Sequence, residues 1–229
     1  MNIEANLIIS ILKLTRNGPV THKLIKNDAM VPLQIVEKLL RKMQNDGLLY
    51  FGKNVVEVNN VQRLKLATQA IKLGADVENI SSLLQWQEFE NIAAIAFEQN
   101  SYSIAKNFRF KHAPRRWEID IVGCKKPLVV CVDCKHLRHG IYPSALKKIV
   151  TEQVERTSAL AETMPSLAGK LECASWDYAK LIPAVLSLVT GRFKFCENVP
   201  IVPVLQLQDF LSQLPAYADE LKHFTKNLV

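Results

Sequence analysis

The chain predicts an α/β protein, a mixed sheet flanked by helices, preceded by a small helical module that ends in a hairpin. Three observations carry this. Helix-length apolar patterns and helix breakers fill the first 60 residues, which close on two short β-prone runs. Further on, apolar runs at 117–122, 128–132, 182–189 and 201–205 read as strands. Amphipathic helical stretches between and around those runs have the arrangement that lays helices onto a sheet. With 229 residues and 48% apolar content, a buried core is expected, in one large domain or two small ones.

Residues 6–14 form a short apolar helix, ended by Asn17-Gly18-Pro19. Thr21 is placed to cap a second helix through Lys26. Pro32 suits the first turn of a third, which runs to about Asn45 with Leu33, Val36, Leu39, Leu40 and Met43 on one side. Asp46-Gly47 ends it. Residues 48–51 and 55–58 read as two strands about a Gly52-Lys53-Asn54 turn. Three helices and a hairpin resemble the winged helix-turn-helix in pattern, over the first quarter of the chain. In such a module the third helix is the usual DNA reader. Lys38, Arg41 and Lys42 lie off its apolar stripe and are candidate phosphate contacts, or else a solvated face. The expected organisation is a winged-helix-like domain at 1–60, a linking helix at 61–81 closed by Gly74, and a larger domain at 82–229.

In the larger domain, Ser81 or Ser82 starts a helix whose apolar set is Leu83, Leu84, Trp86, Phe89, Ile92, Ala93, Ala96 and Phe97, ending near Asn100. Strands follow at 102–108, 117–122 and 128–132, with 123–127 as the turn between the last two. Pro143 or Ser144 opens a long helix to about Glu162, stopped by Pro165. Strands at 182–189 and 201–205 and a helix from about Gln208 complete the order.

Net charge is +7 with a pI of about 9.1, which favours an acidic partner such as nucleic acid. The five cysteines are odd in number and scattered, so a reducing cytoplasm is expected rather than a disulfide framework. The longest apolar run, 181–189, contains Pro183 and is too short for a bilayer, and no signal-peptide pattern opens the chain. No membrane partner is expected.

The most informative stretch runs from 106 to 148, with eleven Lys or Arg and only three acids, Glu118, Asp120 and Asp133. Side chains alternate along a strand, so Asp133 and Lys135 point the same way. A hairpin of 117–122 with 128–132 brings Asp120 across from the Asp133 region. Two carboxylates with an ammonium beside them suit Mg²⁺, a hard ion that takes oxygen ligands and keeps waters. The Cys134 carbonyl is a candidate third ligand. Glu118 shares the strand face of Asp120 and is an alternative ligand. Cys131 and Cys134 face opposite ways in an extended strand, which spoils joint zinc ligation.

Glu118-Ile119-Asp120 followed by Val129-Val130-Cys131-Val132-Asp133-Cys134-Lys135 resembles the metal-binding core of the PD-(D/E)xK nuclease superfamily, over roughly residues 82–214. The resemblance implies a restriction-endonuclease-like fold. Asp120 would be the first acid, and Asp133 and Lys135 the acid-x-Lys pair. Glu90, in Phe89-Glu90-Asn91, matches the acid that the preceding helix often supplies. Gln153, in Gln153-Val154-Glu155-Arg156, matches a helix glutamine of some members. Two departures are Ile119, where the family name implies Pro, and Asp rather than Glu at 133.

The resemblance implies Mg²⁺, with Mn²⁺ as substitute, held by Asp120, Asp133 and Glu90, and a Lys135 that acts on the water or the transition state. Lys106, Arg109, Lys111, Arg115, Arg116, Arg138, Lys147 and Lys148 would form a phosphate-binding rim. His136 and His139 are either phosphate contacts or part of a basic loop. The expected activity is metal-dependent DNA endonucleolysis, structure-specific or repair-like, by a homodimer. The plainer alternative keeps Asp120 and Asp133 as strand-end acids paired with nearby Arg or Lys, in an inactive DNA-binding or regulatory protein. An RNA endonuclease is the third expectation.

Overall fold

The computed structural model describes residues 2–135, 143–188 and 193–228, without the side chains of Val77, Glu78, Trp86 and Gln87. The described residues cluster into two compact units that divide between Glu88 and Phe89.

The first unit contains α1 (Ile3–Leu14), β1 (Val20–Thr21), α2 (His22–Ala29), α3 (Leu33–Asn45), β2 (Tyr50–Gly52), β3 (Val55–Glu57), α4 (Asn60–Lys72) and α5 (Val77–Leu83). Local signals account for most boundaries. Asn2 caps α1 through its side chain, and Asn59 and Gln62 form a reciprocal capping box on α4. Pro32 sits one residue before α3 rather than in its first turn, and its carbonyl accepts the Ile35 and Val36 N–H groups at 3.0 and 3.1 Å. Thr21 precedes α2 but makes no side-chain cap. The turn expected between β2 and β3 is present, with Lys53 and Asn54 both at positive φ, 50° and 65°. β1 adds a third strand beside β3.

Leu7, Ile8, Ile11, Ile25, Leu40, Met43, Leu64 and Ile80 are among this unit's fully buried side chains. Among them lies a buried ion pair. The Arg63 guanidinium pairs with Glu88 and also donates to Leu12 O, Thr15 Oγ1 and Leu83 O, each at 2.9 Å. Glu88 in turn accepts the Gln85 N–H at 2.7 Å. Burial of both charges is tolerable because the network is satisfied on both sides.

The second unit starts within α6 (Trp86–Gln99) and continues through β4 (Ser103–His112), β5 (Arg115–Lys125), β6 (Leu128–Cys134), α7 (Pro143–Leu167), β7 (Tyr178–Ser187), β8 (Phe195–Cys196), β9 (Val199–Pro203), α8 (Leu207–Tyr217) and β10 (Phe224–Asn227). It is a mixed sheet flanked by helices, as expected. β4, β5 and β6 form an antiparallel meander, and β6, β7 and β9 are parallel. β10 pairs antiparallel with the first part of β7. α7 is the crossover between β6 and β7. It packs Leu160, Ala161 and Met164 on Val122, Val129, Cys131 and Leu181, and Leu146 and Val150 on Val185, Val199 and Ile201. On the opposite face, the bare Cα of Gly123 is covered by the Phe97 ring of α6.

Several boundaries differ from the sequence reading. Ser81 and Ser82 lie inside α5, because Asp76 caps that helix earlier, and α6 starts at Trp86. The expected turn at 123–127 shrinks to Lys126 and Pro127, since β5 runs on to Lys125. Pro165 does not stop α7. It falls in the last turn, so the hydrogen bond it forgoes and the crowding of its ring against the preceding turn are confined to the helix end. Val189 of the expected 182–189 strand is outside the described residues.

Candidate functional site

The β5–β6 ladder runs from Lys125↔Leu128 to Ile121↔Val132. The next position in register would pair Asp120 with Asp133, and there the backbone pairing stops. The Asp120 carboxylate takes over: its Oδ2 accepts the Cys134 N–H at 2.7 Å. On the other side of β5, the ladder to β4 also skips Asp120, between Lys106↔Ile121 and Phe108↔Ile119. The facing residue, Asn107, adopts φ 49°. Asp120 therefore sits at a break between three strands, with its side chain freed from regular alternation.

β6 keeps its alternation. Val129 and Cys131 face α7, and Asp133 continues that face. There Arg156 Nη1 donates to Asp133 Oδ1 at 2.6 Å, and Lys135 Nζ lies 3.0 Å from Oδ2. Oδ2 is buried and makes no hydrogen bond, so the lysine acts on it through charge rather than an aligned bond. Gln153, one turn before Arg156 on α7, is fully buried, and its Nε2 donates to Cys131 O at 2.7 Å. That bond docks α7 on β6 and fixes the height at which Arg156 meets Asp133.

Glu90 is buried on α6. Its charge joins those of Asp120 and Asp133 at the Cys134 thiol, whose pKa stands well above the usual value, through burial first and these three carboxylates after it. The Asp120 carboxyl is pushed up to about 6, chiefly by burial and further by the Asp133 charge. The Cys134 N–H, Lys135 and Arg156 oppose that rise.

Among the described residues, no three His, Cys, Asp or Glu side chains gather into a ready metal group. Asp133 is turned to Arg156 and Lys135, as the strand-end alternative anticipates. The donor chemistry nevertheless fits a hard divalent ion: two neighbouring carboxylates, one with a buried oxygen lacking a hydrogen bond, the other disfavoured as an anion by burial. Glu118, the alternative ligand, is exposed and held by Arg109 at 2.8 Å.

Arg109, Lys111, Arg115 and Arg116 are exposed on the β4–β5 hairpin, and the Arg115 guanidinium stacks 3.9 Å from the centre of the Trp117 ring. Lys106 reaches Asn91 Oδ1 at 3.3 Å, Lys147 pairs with Glu197 at 3.2 Å, and Lys148 is exposed. In the first unit Lys38, Arg41 and Lys42 are exposed on α3. Lys42 is bound to Glu4 at 2.9 Å, and Arg41 lies 6.0 Å from the Phe51 ring centre. His136, Arg138 and His139 lie outside the described residues.

Arg156 is the residue that the sequence reading passed over. Its signal was its place three residues after Gln153, on the same helix face.

No family model matches the chain. It is similar to an uncharacterized protein of Archaeoglobus fulgidus, 29% identical over 137 residues, which cover 60% of this chain and 97% of that one. It is also similar to the crystal structure of protein VC1899 from Vibrio cholerae, at 12% identity and a TM-score of 0.33, over 93% of this chain. The chain spans about half (49%) of that protein's length. Among the described residues, no helix is long and apolar enough to cross a membrane.

Proposed function

We propose that the chain is a metal-dependent nuclease with a restriction-endonuclease-like domain and a winged-helix module, acting on DNA as a homodimer. The observation that carries the reading is the meeting of Asp120 and Asp133 where β5 and β6 part, with Lys135 against Asp133. The strand order supports it, since three antiparallel strands, a crossover helix and a parallel strand present both acids at one end of the sheet. The basic hairpin beside them suits a polyanion.

Asp120 and Asp133 would hold Mg²⁺ or Mn²⁺, with Glu90 assisting from α6. The bound ion supplies Lewis-acid activation of water and neutralises charge on the phosphate. Lys135 then has two uses open to it, orienting the attacking water or stabilising charge on the transition state. Arg156 holds Asp133 in place and neutralises it before any cation arrives. Gln153 acts through the helix, by seating α7. Arg109, Lys111, Arg115 and Arg116 bind phosphates away from the cut.

A second reading has its own observation. Arg156 and Lys135 already balance Asp133, which suits a nucleic-acid-binding protein whose acids are structural. One experiment separates the two. Purified protein is incubated with supercoiled plasmid, a four-way junction and a structured RNA, in Mg²⁺, Mn²⁺ or EDTA, beside Asp133→Ala and Lys135→Ala. Metal-dependent cutting by the wild type alone is expected. Retarded but intact nucleic acid in every lane would overturn the nuclease in favour of the binder, and cutting of RNA alone would replace DNA as substrate.

A further inference from the structure

β5 turns Cys124 toward the α7 layer, away from the Phe97 ring that covers the neighbouring Gly123. A turn at Ala168–Leu171 follows α7 and reverses through Glu172 at φ 57°. The Cys173 N–H closes it by donating to Ala168 O at 2.8 Å. That turn delivers Cys173 to Cys124. Both thiols belong to one buried cluster and lie within hydrogen-bonding reach of each other. Cys173 Sγ–H donates to Leu171 O at 3.0 Å, which leaves its sulfur lone pairs to accept the Cys124 S–H.

The shared hydrogen bond makes the two thiols unequal. It holds Cys173, the acceptor, below the usual thiol range, against the effect of burial. It pushes Cys124, the donor, far up, and burial adds to that rise. Cys173 is therefore the first to form a thiolate, and Cys124 is placed to resolve what forms on it. A cavity of about 50 Å³ reaches Cys124 and is lined from the turn by Lys170, Leu171 and Glu172. One water needs about 10–15 Å³, so the cavity admits a peroxide, which is two oxygens long. A structural zinc takes four ligands, and among the described residues no third His, Cys, Asp or Glu completes a metal group with this pair.

We infer that Cys124 and Cys173 are an oxidisable pair that reacts with hydrogen peroxide and closes into a reversible disulfide. The Cys173 thiolate attacks one peroxide oxygen, the O–O bond breaks, and hydroxide leaves with the proton that the thiol gave up, as water. Cys173 is then a sulfenic acid. The Cys124 sulfur attacks the sulfenic sulfur, the S–O bond breaks, and the hydroxide takes the Cys124 proton as a second water. The two sulfurs lose two electrons and the two peroxide oxygens gain them. The bond closes a loop that contains Asp133, Lys135, Gln153 and Arg156, and ties β5 to the end of α7. A single bond of this kind is the transient, redox-sensing use of cysteine that a reducing compartment allows. The inference is independent of the nuclease reading.

The test uses the full chain carrying Cys196→Ala, which removes the half-buried thiol that could join two chains and leaves four of the five cysteines. The folded protein is treated with hydrogen peroxide, then unfolded, alkylated and mapped by mass spectrometry. Two alkylatable thiols should be lost, the chain should lose the mass of two hydrogens, and the map should join the Cys124 and Cys173 peptides. Both thiols should disappear about tenfold or more faster than Cys131, an ordinary buried thiol of the same cluster. Dithiothreitol should restore all four. Adding Cys124→Ala should leave a sulfenic acid on Cys173 that dimedone traps.

Four thiols surviving peroxide, a cross-link through Cys131, or an oxidation that dithiothreitol does not reverse would each overturn the inference. The map of the parent protein decides this by itself if Cys124→Ala fails to fold.

Discussion

Replacing Arg156 with methionine removes one of the two cations that face Asp133 and keeps most of the apolar stem. The Asp133 side chain is 4% exposed and Arg156 is 23% exposed. Taking one partner from a buried pair costs about 3–5 kcal/mol when the other charge is left alone. Here Lys135 stays 3.0 Å from the second oxygen and is itself 32% exposed, so part of the balance survives. A loss of about 2 kcal/mol is therefore expected, or about 4–8 °C in Tm for a protein of this size. The assay is thermal unfolding in EDTA, repeated along a Mg²⁺ titration, with Asp133→Ala in parallel. If the acid pair holds a cation, that cation takes the place of Arg156. Mg²⁺ should then stabilise Arg156→Met by about 2.7 kcal/mol at a concentration a hundredfold above that variant's Kd, and wild type by less. Asp133→Ala should respond to neither change. A variant that melts like wild type in EDTA would refute the ion pair's contribution. A variant that gains no more from Mg²⁺ than wild type would refute the exchange.

Three further outcomes are expected. Asp120 titrates at about 6 in the fold against 3.8 as its ordinary value, so the fold holds its proton more tightly. Its contribution is full below about pH 4 and is lost as pH rises through about 6. In EDTA, Asp120→Asn should therefore gain on wild type in Tm from pH 4 to pH 7, and a constant difference would refute the raised pKa. Arg63→Met leaves Glu88 buried without its cation, at a cost of about 3–5 kcal/mol by denaturant unfolding. Adding Glu88→Met should recover most of it, and a double variant no better than the single would show that the charge is not the cause. Gly123→Ala drives a methyl into the Phe97 ring and should cost about 1–3 kcal/mol. Neutral stability there would mean that α6 yields freely.

Much of the framework was legible because it is local. The Asn17-Gly18-Pro19 breaker, the Gly52-Lys53-Asn54 turn and the apolar run at 128–132 act within a few residues, and the elements stand where those signals put them. The misses have physical causes as well. Gly123 looked like a turn residue but is a strand position where an aromatic ring needs the space of a side chain. β10 has no apolar periodicity worth reading. It forms because part of the β7 edge, at Tyr178–Leu181, offers backbone partners.

The candidate site divides in the same way. Strand alternation by itself put Lys135 on the side of Asp133, because a period of two needs no information from the rest of the chain. The fork where Asp120 accepts the Cys134 N–H and the reach of Arg156 to Asp133 span 14 and 23 residues of sequence. No local period encodes such separations. They follow from how β5 leaves β6 and from the angle at which Gln153 seats α7, and only the packed sheet and helix decide those.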